Sequence, residues 1–275
     1  MTAGGQPARV RDAHVAWVRA RLSDRDWQLV ETVNRLGLIS GWQLDRLHFT
    51  NLTGRSRTVT RSSTLARLVR WRVLYRLPRR IGGAARGSTV SVYAADTAGA
   101  RLLAERANLG QLDAVVRRPG VPTERFVAHT LAISELFVEL TEAVRTSNGL
   151  LLREFEAEPA AWWPDGRGGW LKPDAYLVVS DGTDDHLRWI EADNATESLP
   201  TIERKLRVYL DFVRRGNVGP RGTIPRVLIS VPNEHRRQAV QARIARLPEP
   251  ANELFVVTVA QEAVAFVLGE LQGAG

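Results

Sequence analysis

Between Leu171 and Lys205 the chain gathers the residues best suited to chemistry. The stretch reads LKPDAYLVVS, a DGTDD turn, HLRWIEAD, and then a segment carrying IERKLRVYL. Two short β runs joined by a polar turn predict a hairpin. Alternate residues of a strand share a face, so Asp174, Tyr176 and Val178 fall together on the first run. Leu187, Trp189, Glu191 and Asp193 do so on the second. With the register such a turn implies, Asp174 and Glu191 sit side by side at the open end of the hairpin. Carboxylates gathered there, beside a basic residue, suit a hard divalent cation such as Mg2+ or Mn2+.

The flanking elements must hold this hairpin in place. Thr123–Arg145 has the pattern of a long amphipathic helix, with Phe126, Ile133, Phe137, Leu140 and Val144 as its buried stripe. His129 falls on that stripe and reads as a hydrogen-bonded core residue. Glu135, Glu139 and Glu142 line another face. Leu150–Glu158 is expected as a strand and Ala161–Trp170 as a loop. Pro200 suits the first turn of a helix, whose stripe is Ile202, Leu206, Tyr209, Leu210 and Val213, with Lys205 at its edge. Pro225–Val231 reads as a strand, Glu234–Arg246 as a helix, Glu253–Val259 as a strand and Gln261–Leu271 as a helix. This order predicts an α/β domain, a mixed sheet covered by helices.

The charge divides the chain in two. Residues 1–120 hold 21 Arg, no Lys and 8 Asp+Glu, a balance of +13; residues 121–275 hold 17 Lys+Arg and 22 Asp+Glu, a balance of −5. The two sum to the net +8. Such asymmetry points to a basic nucleic-acid reader joined to a domain with another task. The sequence contains no cysteine, which excludes disulfides and thiolate-bound zinc. No apolar run approaches the roughly 18 residues of a membrane span. Met1–Pro7 lacks a signal-peptide layout, so the expected location is the cytoplasm.

In the basic half, Asp12–Arg21 predicts a short helix with Val15, Val18 and Leu22 inward. Ser23 and Asp26 suggest a capping box for a helix that Gly37 ends. A second helix starts at Ser40 and carries Trp42, Leu44 and Leu47. After a polar loop, Thr50–Arg57, a third spans about Thr58–Trp71 with Leu65, Leu68 and Val69 inward. The β runs VLYRL and TVSVYAA then flank a glycine- and arginine-rich tip. Three helices followed by a basic-tipped hairpin are the layout of a winged helix-turn-helix, whose third helix reads the major groove. The expected DNA contacts are Arg57, Arg61, Ser62, Ser63, Arg67 and Arg70 on the helix side, and Arg79, Arg80 and Arg86 in the wing. Residues 1–22 are read as a leader and short helix, 23–107 as the winged helix, 108–122 as a linker and 123–275 as the α/β domain.

Pro173-Asp174, followed after a hairpin-sized gap by Glu191-Ala192-Asp193, resembles the core of PD-(D/E)XK nucleases. The wider pattern, with an arginine-rich reader, FVAHTLAISEL, LKPDAY and EADNATESLPTIERKL, resembles actinobacterial replication-relaxation proteins of plasmids and other mobile elements. That likeness runs over most of the chain from about Ser23. It implies a restriction-endonuclease-like C-terminal domain and metal-assisted phosphodiester hydrolysis. Asp174, Glu191 and the Ala192 carbonyl would hold Mg2+ or Mn2+, and Glu135 is the acidic residue of the first helix that could approach the metal. Asp193 stands where the pattern has lysine. The positive charge must then come from elsewhere, with Lys205 the substitute and Lys172 the reserve.

Two functions stay open on this reading. One is a DNA-nicking or DNA-cleaving enzyme of a mobile element, acting on double-stranded DNA. The other is a non-catalytic regulator or replication/transfer accessory factor with a silent nuclease fold. The expected partners are duplex DNA, a second copy of the chain, and plasmid replication or transfer proteins. A phosphate-binding GxxxxGK[ST] loop is missing from the sequence, and its five histidines are scattered. Tyr75, Tyr93, Tyr176 and Tyr209 have no constellation that would make any of them a nucleophile.

Overall fold

Val15 and Val18, three positions apart, give Asp12–Arg19 one apolar edge, and this run forms helix α1 with both valines buried. The computed structural model describes residues 10–78, 81–82, 89–107 and 122–272. The chain divides into two units, Met1–Thr123 and Glu124–Gly275.

In the first unit, α2 (Asp24–Leu36) opens on a complete capping box between Ser23 and Asp26 and stops at Gly37, whose φ is +72°. Strand β1 (Ile39–Ser40) leads into α3 (Gly41–His48), capped by a second box between Ser40 and Gln43. Helix α4 spans Gly54–Arg70. It begins four residues before the expected Thr58, so the second half of the predicted Thr50–Arg57 loop is helical. A glycine- and serine-rich first turn is weak by propensity. Here it is held by Ser56 Oγ on the Thr53 carbonyl and by the Arg57 guanidinium on the Asp45 carbonyl.

Strands β2 (Leu74–Arg76), β3 (Ile81–Gly82), β4 (Thr89–Val90) and β5 (Val92–Ala95) follow, and α5 (Thr97–Arg106) closes the unit. β1, β5 and β2 form an antiparallel sheet in that order, while β3 pairs with β4. Arg79, Arg80 and Arg86 of the expected wing lie outside the described residues.

The second unit starts with α6 (Glu124–Thr146). Its buried face is Val127, Thr130, Ile133, Ser134, Phe137 and Leu140. Phe126, placed on that stripe by periodicity, is instead exposed. Ile133, Phe137 and Leu140 lie inward as expected, and Val127 takes the inward place at the helix start.

β6 (Leu151–Ala157) is followed by a small hairpin, β7 (Trp163–Pro164) and β8 (Trp170–Leu171), inside the stretch expected as a loop. Then come β9 (Ala175–Ser180), β10 (Asp185–Ala192), α7 (Leu199–Arg214), β11 (Arg226–Val231), α8 (Glu234–Ile244), α9 (Ala251–Leu254), β12 (Phe255–Val259) and α10 (Ala263–Gln272). They build a five-stranded mixed sheet in the order β12-β11-β10-β9-β6. β6, β9 and β10 are antiparallel, and β10, β11 and β12 are parallel.

Every residue of β9 is buried, as befits an inner strand covered on both faces. One face carries Tyr176, Val178, Trp189, Val227 and Ile229, packed against Ile202, Leu206 and Tyr209 of α7 and Val240 and Ile244 of α8. On the other face Phe137 of α6 meets Phe155 of β6 edge-on at 5.0 Å. The fold is therefore the expected α/β class, a mixed sheet flanked by helices. Among the described residues no helix is long and apolar enough to cross a membrane.

Candidate functional site

Asp174 enters the sheet one residue before β9. Its N–H donates to the Ile190 carbonyl at 3.0 Å and its own carbonyl accepts the Glu158 N–H at 3.0 Å, so its backbone is held from both sides. The pairing of Ala175 with Ile190 puts Asp174 opposite Glu191, at the end of β10. Both residues are buried, at 6% and 4% exposure. The Ala192 N–H donates to Asp174 Oδ2 at 2.8 Å, which turns Oδ1 toward the neighbouring helices.

Lys205 reaches this pair from α7. Ser198 caps the helix and Pro200 lies in its first turn, while Ile202, Leu206 and Tyr209 anchor it on the sheet. The Lys205 stem runs along that apolar edge and delivers its ammonium inward. Nζ lies 3.4 Å from Asp174 Oδ1 and pairs with Glu191 Oε2. That Oε2 is buried, and the ammonium is its partner. The other oxygen, Oε1, accepts the Tyr209 hydroxyl proton. His129 of α6 completes the group, with Nε2 3.4 Å from Asp174 Oδ1.

The electrostatics follow from this packing. Burial, and then the Asp174 charge, push the Glu191 carboxyl up to about 8, against the opposing pull of Lys205 and Tyr209. Burial would also raise Asp174. The His129 bond, the Lys205 charge and the Ala192 N–H outweigh it and hold this carboxyl below the ordinary aspartate range. The same bond raises His129 above the ordinary histidine value, in spite of its burial. Burial works against the Lys205 ammonium, but the Glu191 and Asp174 charges prevail and raise it. Perturbed carboxyls beside a specific charged partner mark a functional site more often than ordinary surface does.

Asp174, Glu191, Ala192 and Lys205 thus come together, while Asp193 and Lys172 do not join them. Asp193 is engaged elsewhere: Arg236 Nε donates to its Oδ2 at 2.6 Å and the Ala195 N–H donates to Oδ1 at 2.8 Å. The backbone turns after β10, which carries this carboxylate to the start of α8. Lys172 is exposed, with Nζ 4.5 Å above the Trp162 ring. Glu135 lies six residues beyond His129 on α6, roughly 240° further around the helix. Tyr209 and His129 are residues that sequence reasoning left out of the site. For Tyr209 a signal existed, since it stands one turn after Lys205 on the same helix face. His129 came from the one element that is distant in sequence.

The expected DNA-contact residues divide in the same way. Arg57 and Arg61 pair with Asp45 at 2.9 and 3.5 Å, and Arg67 pairs with Asp26 at 2.6 Å. Asp45 and Asp26 are buried, at 3% and 1%, so these arginines serve the interior of the unit. Ser62, Ser63 and Arg70 face solvent, and so do Arg55 and Val59 one or two turns earlier.

The second unit is therefore an α/β domain with a helix-borne lysine set between two buried carboxylates at strand ends. A family model described as replication-relaxation matches residues 30–227. This span covers most of the chain, including α4, Asp174, Glu191 and Lys205, and the chain belongs to that family. Membership associates it with replication and with DNA. Neither the curated proteins nor the solved structures contain a match.

Proposed function

We propose that this chain is a DNA-binding protein of a plasmid or other mobile element that hydrolyses phosphodiester bonds at Asp174, Glu191 and Lys205. The observation that carries the reading is the contact of one ammonium with both carboxylates. The element order α6, β6, β9, β10, α7, β11, with an acidic residue at each of two adjacent strand ends, supports a PD-(D/E)XK-like core. Lys205 takes the part of the lysine that Asp193 cannot play.

The donors present suit a small hard cation. Glu191 Oε2 and Asp174 Oδ1 belong to two buried carboxylates and face the same ammonium. Among the described residues no three His, Cys, Asp or Glu side chains form a metal cluster. A set of one or two carboxylates is nonetheless usual for Mg2+, which keeps several waters and takes substrate phosphate oxygens. Asp174 and Glu191, with the Ala192 carbonyl, would hold Mg2+ or Mn2+. When bound, such a metal polarises a phosphoryl oxygen and lowers the pKa of water.

The chain's own residues do the rest. Lys205 offsets negative charge that builds on the phosphate, in a site where burial strengthens that interaction. The Ala192 N–H and the Tyr209 hydroxyl each hold one outer carboxylate oxygen, so the other oxygen of each group points at the reacting space. His129 keeps Asp174 ionised. The N-terminal unit would deliver DNA as a winged helix. Support comes from its +13 balance, the run of helices α2, α3 and α4, and the antiparallel strands that follow. A second reading, the silent nuclease fold, is favoured by the engagement of Asp193 with Arg236. Incubating parent protein with supercoiled plasmid, Mg2+ or Mn2+, with and without chelator, separates the two. Metal-dependent nicking supports hydrolysis, and intact plasmid under every divalent metal supports the silent fold.

A further inference from the structure

The β7–β8 hairpin sits immediately before Asp174 in the chain, and its two faces differ. Trp163 pairs with Leu171, and Pro164 with Trp170. Trp163 and Leu171 pack inward on the core beneath α7. Alternation puts Pro164 and Trp170 on the opposite face. Just beyond the hairpin, the exposed Lys172 lays its ammonium 4.5 Å over the Trp162 ring. Trp170 is 53% exposed, and Arg167 is exposed at the tip.

This hairpin is firmly braced. Asp165 Oδ1 accepts the Arg167 and Gly169 N–H groups at 2.8 and 2.9 Å. The Asp165 carbonyl accepts Arg215 and Asn217 at 3.3 Å each, and Trp163 Nε1 donates to the Val218 carbonyl at 3.0 Å. A rigid support therefore presents one indole that the fold leaves largely uncovered, a second indole topped by an ammonium, and a tip arginine.

We propose that this outer face is a stacking platform for the bases of an unpaired DNA strand beside the scissile phosphate. It rests on the hydrolytic reading above and names its substrate class. Aromatic side chains flanked by cations bind single strands, because every base has a π-face and every linkage carries a charge. A closed duplex stacks its bases on one another and offers the indoles only its phosphates. The reach is suitable as well. Asp174 lies four positions after Trp170, at most about 14 Å of chain, which spans a few nucleotides.

The test measures anisotropy of a labelled thymidine homopolymer and of a duplex of equal length with the full chain, alongside plasmid nicking. Trp170→Ala is expected to weaken single-strand binding about tenfold and to leave duplex binding within about twofold. Trp170→Phe should keep most of the single-strand affinity, and Lys172→Ala should flatten its salt dependence. Trp170 is exposed, so its replacement leaves the core intact. Unchanged single-strand affinity in Trp170→Ala, in a protein that still nicks plasmid, overturns the platform and leaves the hydrolytic reading standing. Equal losses for single strand and duplex also overturn it. A parent that binds neither DNA removes the platform and the functional reading together.

Discussion

Lys205 and Tyr209, one turn apart on α7, hold the two oxygens of one buried carboxylate, Glu191. A single helix face thereby fixes both the charge and the orientation of that group. Each contact has its own consequence. Tyr209→Phe removes a buried hydrogen bond to a carboxylate without changing ring packing. Its expected cost is about 1–3 kcal/mol, read as a lower midpoint in urea unfolding at unchanged m-value. A variant as stable as the parent would show that Oε1 does not depend on the hydroxyl.

Glu191 also sets a pH dependence. Its folded value of about 8 lies above the ordinary 4.5. Between these values the folded chain holds a proton that the unfolded chain has released. Unfolding free energy from this group therefore falls as pH rises from about 4.5 to about 8 and is level beyond. Asp174 acts in the opposite sense. Its lowered value contributes stability above the ordinary 3.8, lost as pH falls through the folded value. In metal-free buffer Glu191→Gln should reduce the fall on the neutral side, leaving the part that the raised His129 contributes, and Asp174→Asn should soften the loss on the acid side. Urea titrations at half-unit pH steps measure both, and parallel profiles for parent and Glu191→Gln would contradict the assignment.

In the N-terminal unit stability and DNA reading should separate by residue. Arg67→Ala leaves the buried Asp26 carboxylate without its charge partner, with Oδ2 still held by Ser23. The expected loss is on the order of 2 kcal/mol, below the about 3–5 of a fully buried pair because the guanidinium is one-third exposed. Ser63→Ala should change stability by less than about 0.5 kcal/mol yet shift the preferred DNA sequence. Thermal melts and binding-site selection on both variants check this. A stable Arg67→Ala, or a Ser63→Ala variant with unchanged preference, would count against the division.

The site's core was legible because its geometry is local. Asp174, Glu191 and Lys205 lie within one hairpin and the next helix, where strand alternation and helix periodicity place side chains. Lys205 and Lys172, the substitute and the reserve for the missing motif lysine, are the two lysines among 38 basic residues. The five-stranded mixed sheet was readable from the order of apolar runs. What local patterns lack is the tertiary partner. His129 approaches from α6, and Arg236 reaches Asp193 from 43 residues away. Arg57 and Arg61 looked like surface cations because nothing near them in sequence announces Asp45 as their partner. Phe126 was misplaced by one step of a periodic pattern that Val127 fits as well. The β7–β8 hairpin hid in a glycine-rich stretch whose turn is closed by Asp165.

Arg236 holds the segment between β10 and α7 by gripping both the Asp193 carboxylate and the Glu197 carbonyl, the latter at 2.6 Å. Arg236→Lys cannot reproduce this two-pronged grip. The variant should show faster amide hydrogen exchange over residues 194–199, while β9 stays protected. Exchange indistinguishable from the parent would mean that the segment is ordered by other contacts.

The most direct test of the central claim is metal-dependent nicking of supercoiled plasmid by Lys205→Ala beside the parent. Removing the ammonium while keeping both carboxylates should lower the nicking rate by about 100-fold or more. Duplex binding by the N-terminal unit should be unchanged, and Lys205→Arg should recover only part of the rate, because a planar fork does not replace a compact charge. Nicking that persists undiminished in Lys205→Ala would contradict the account.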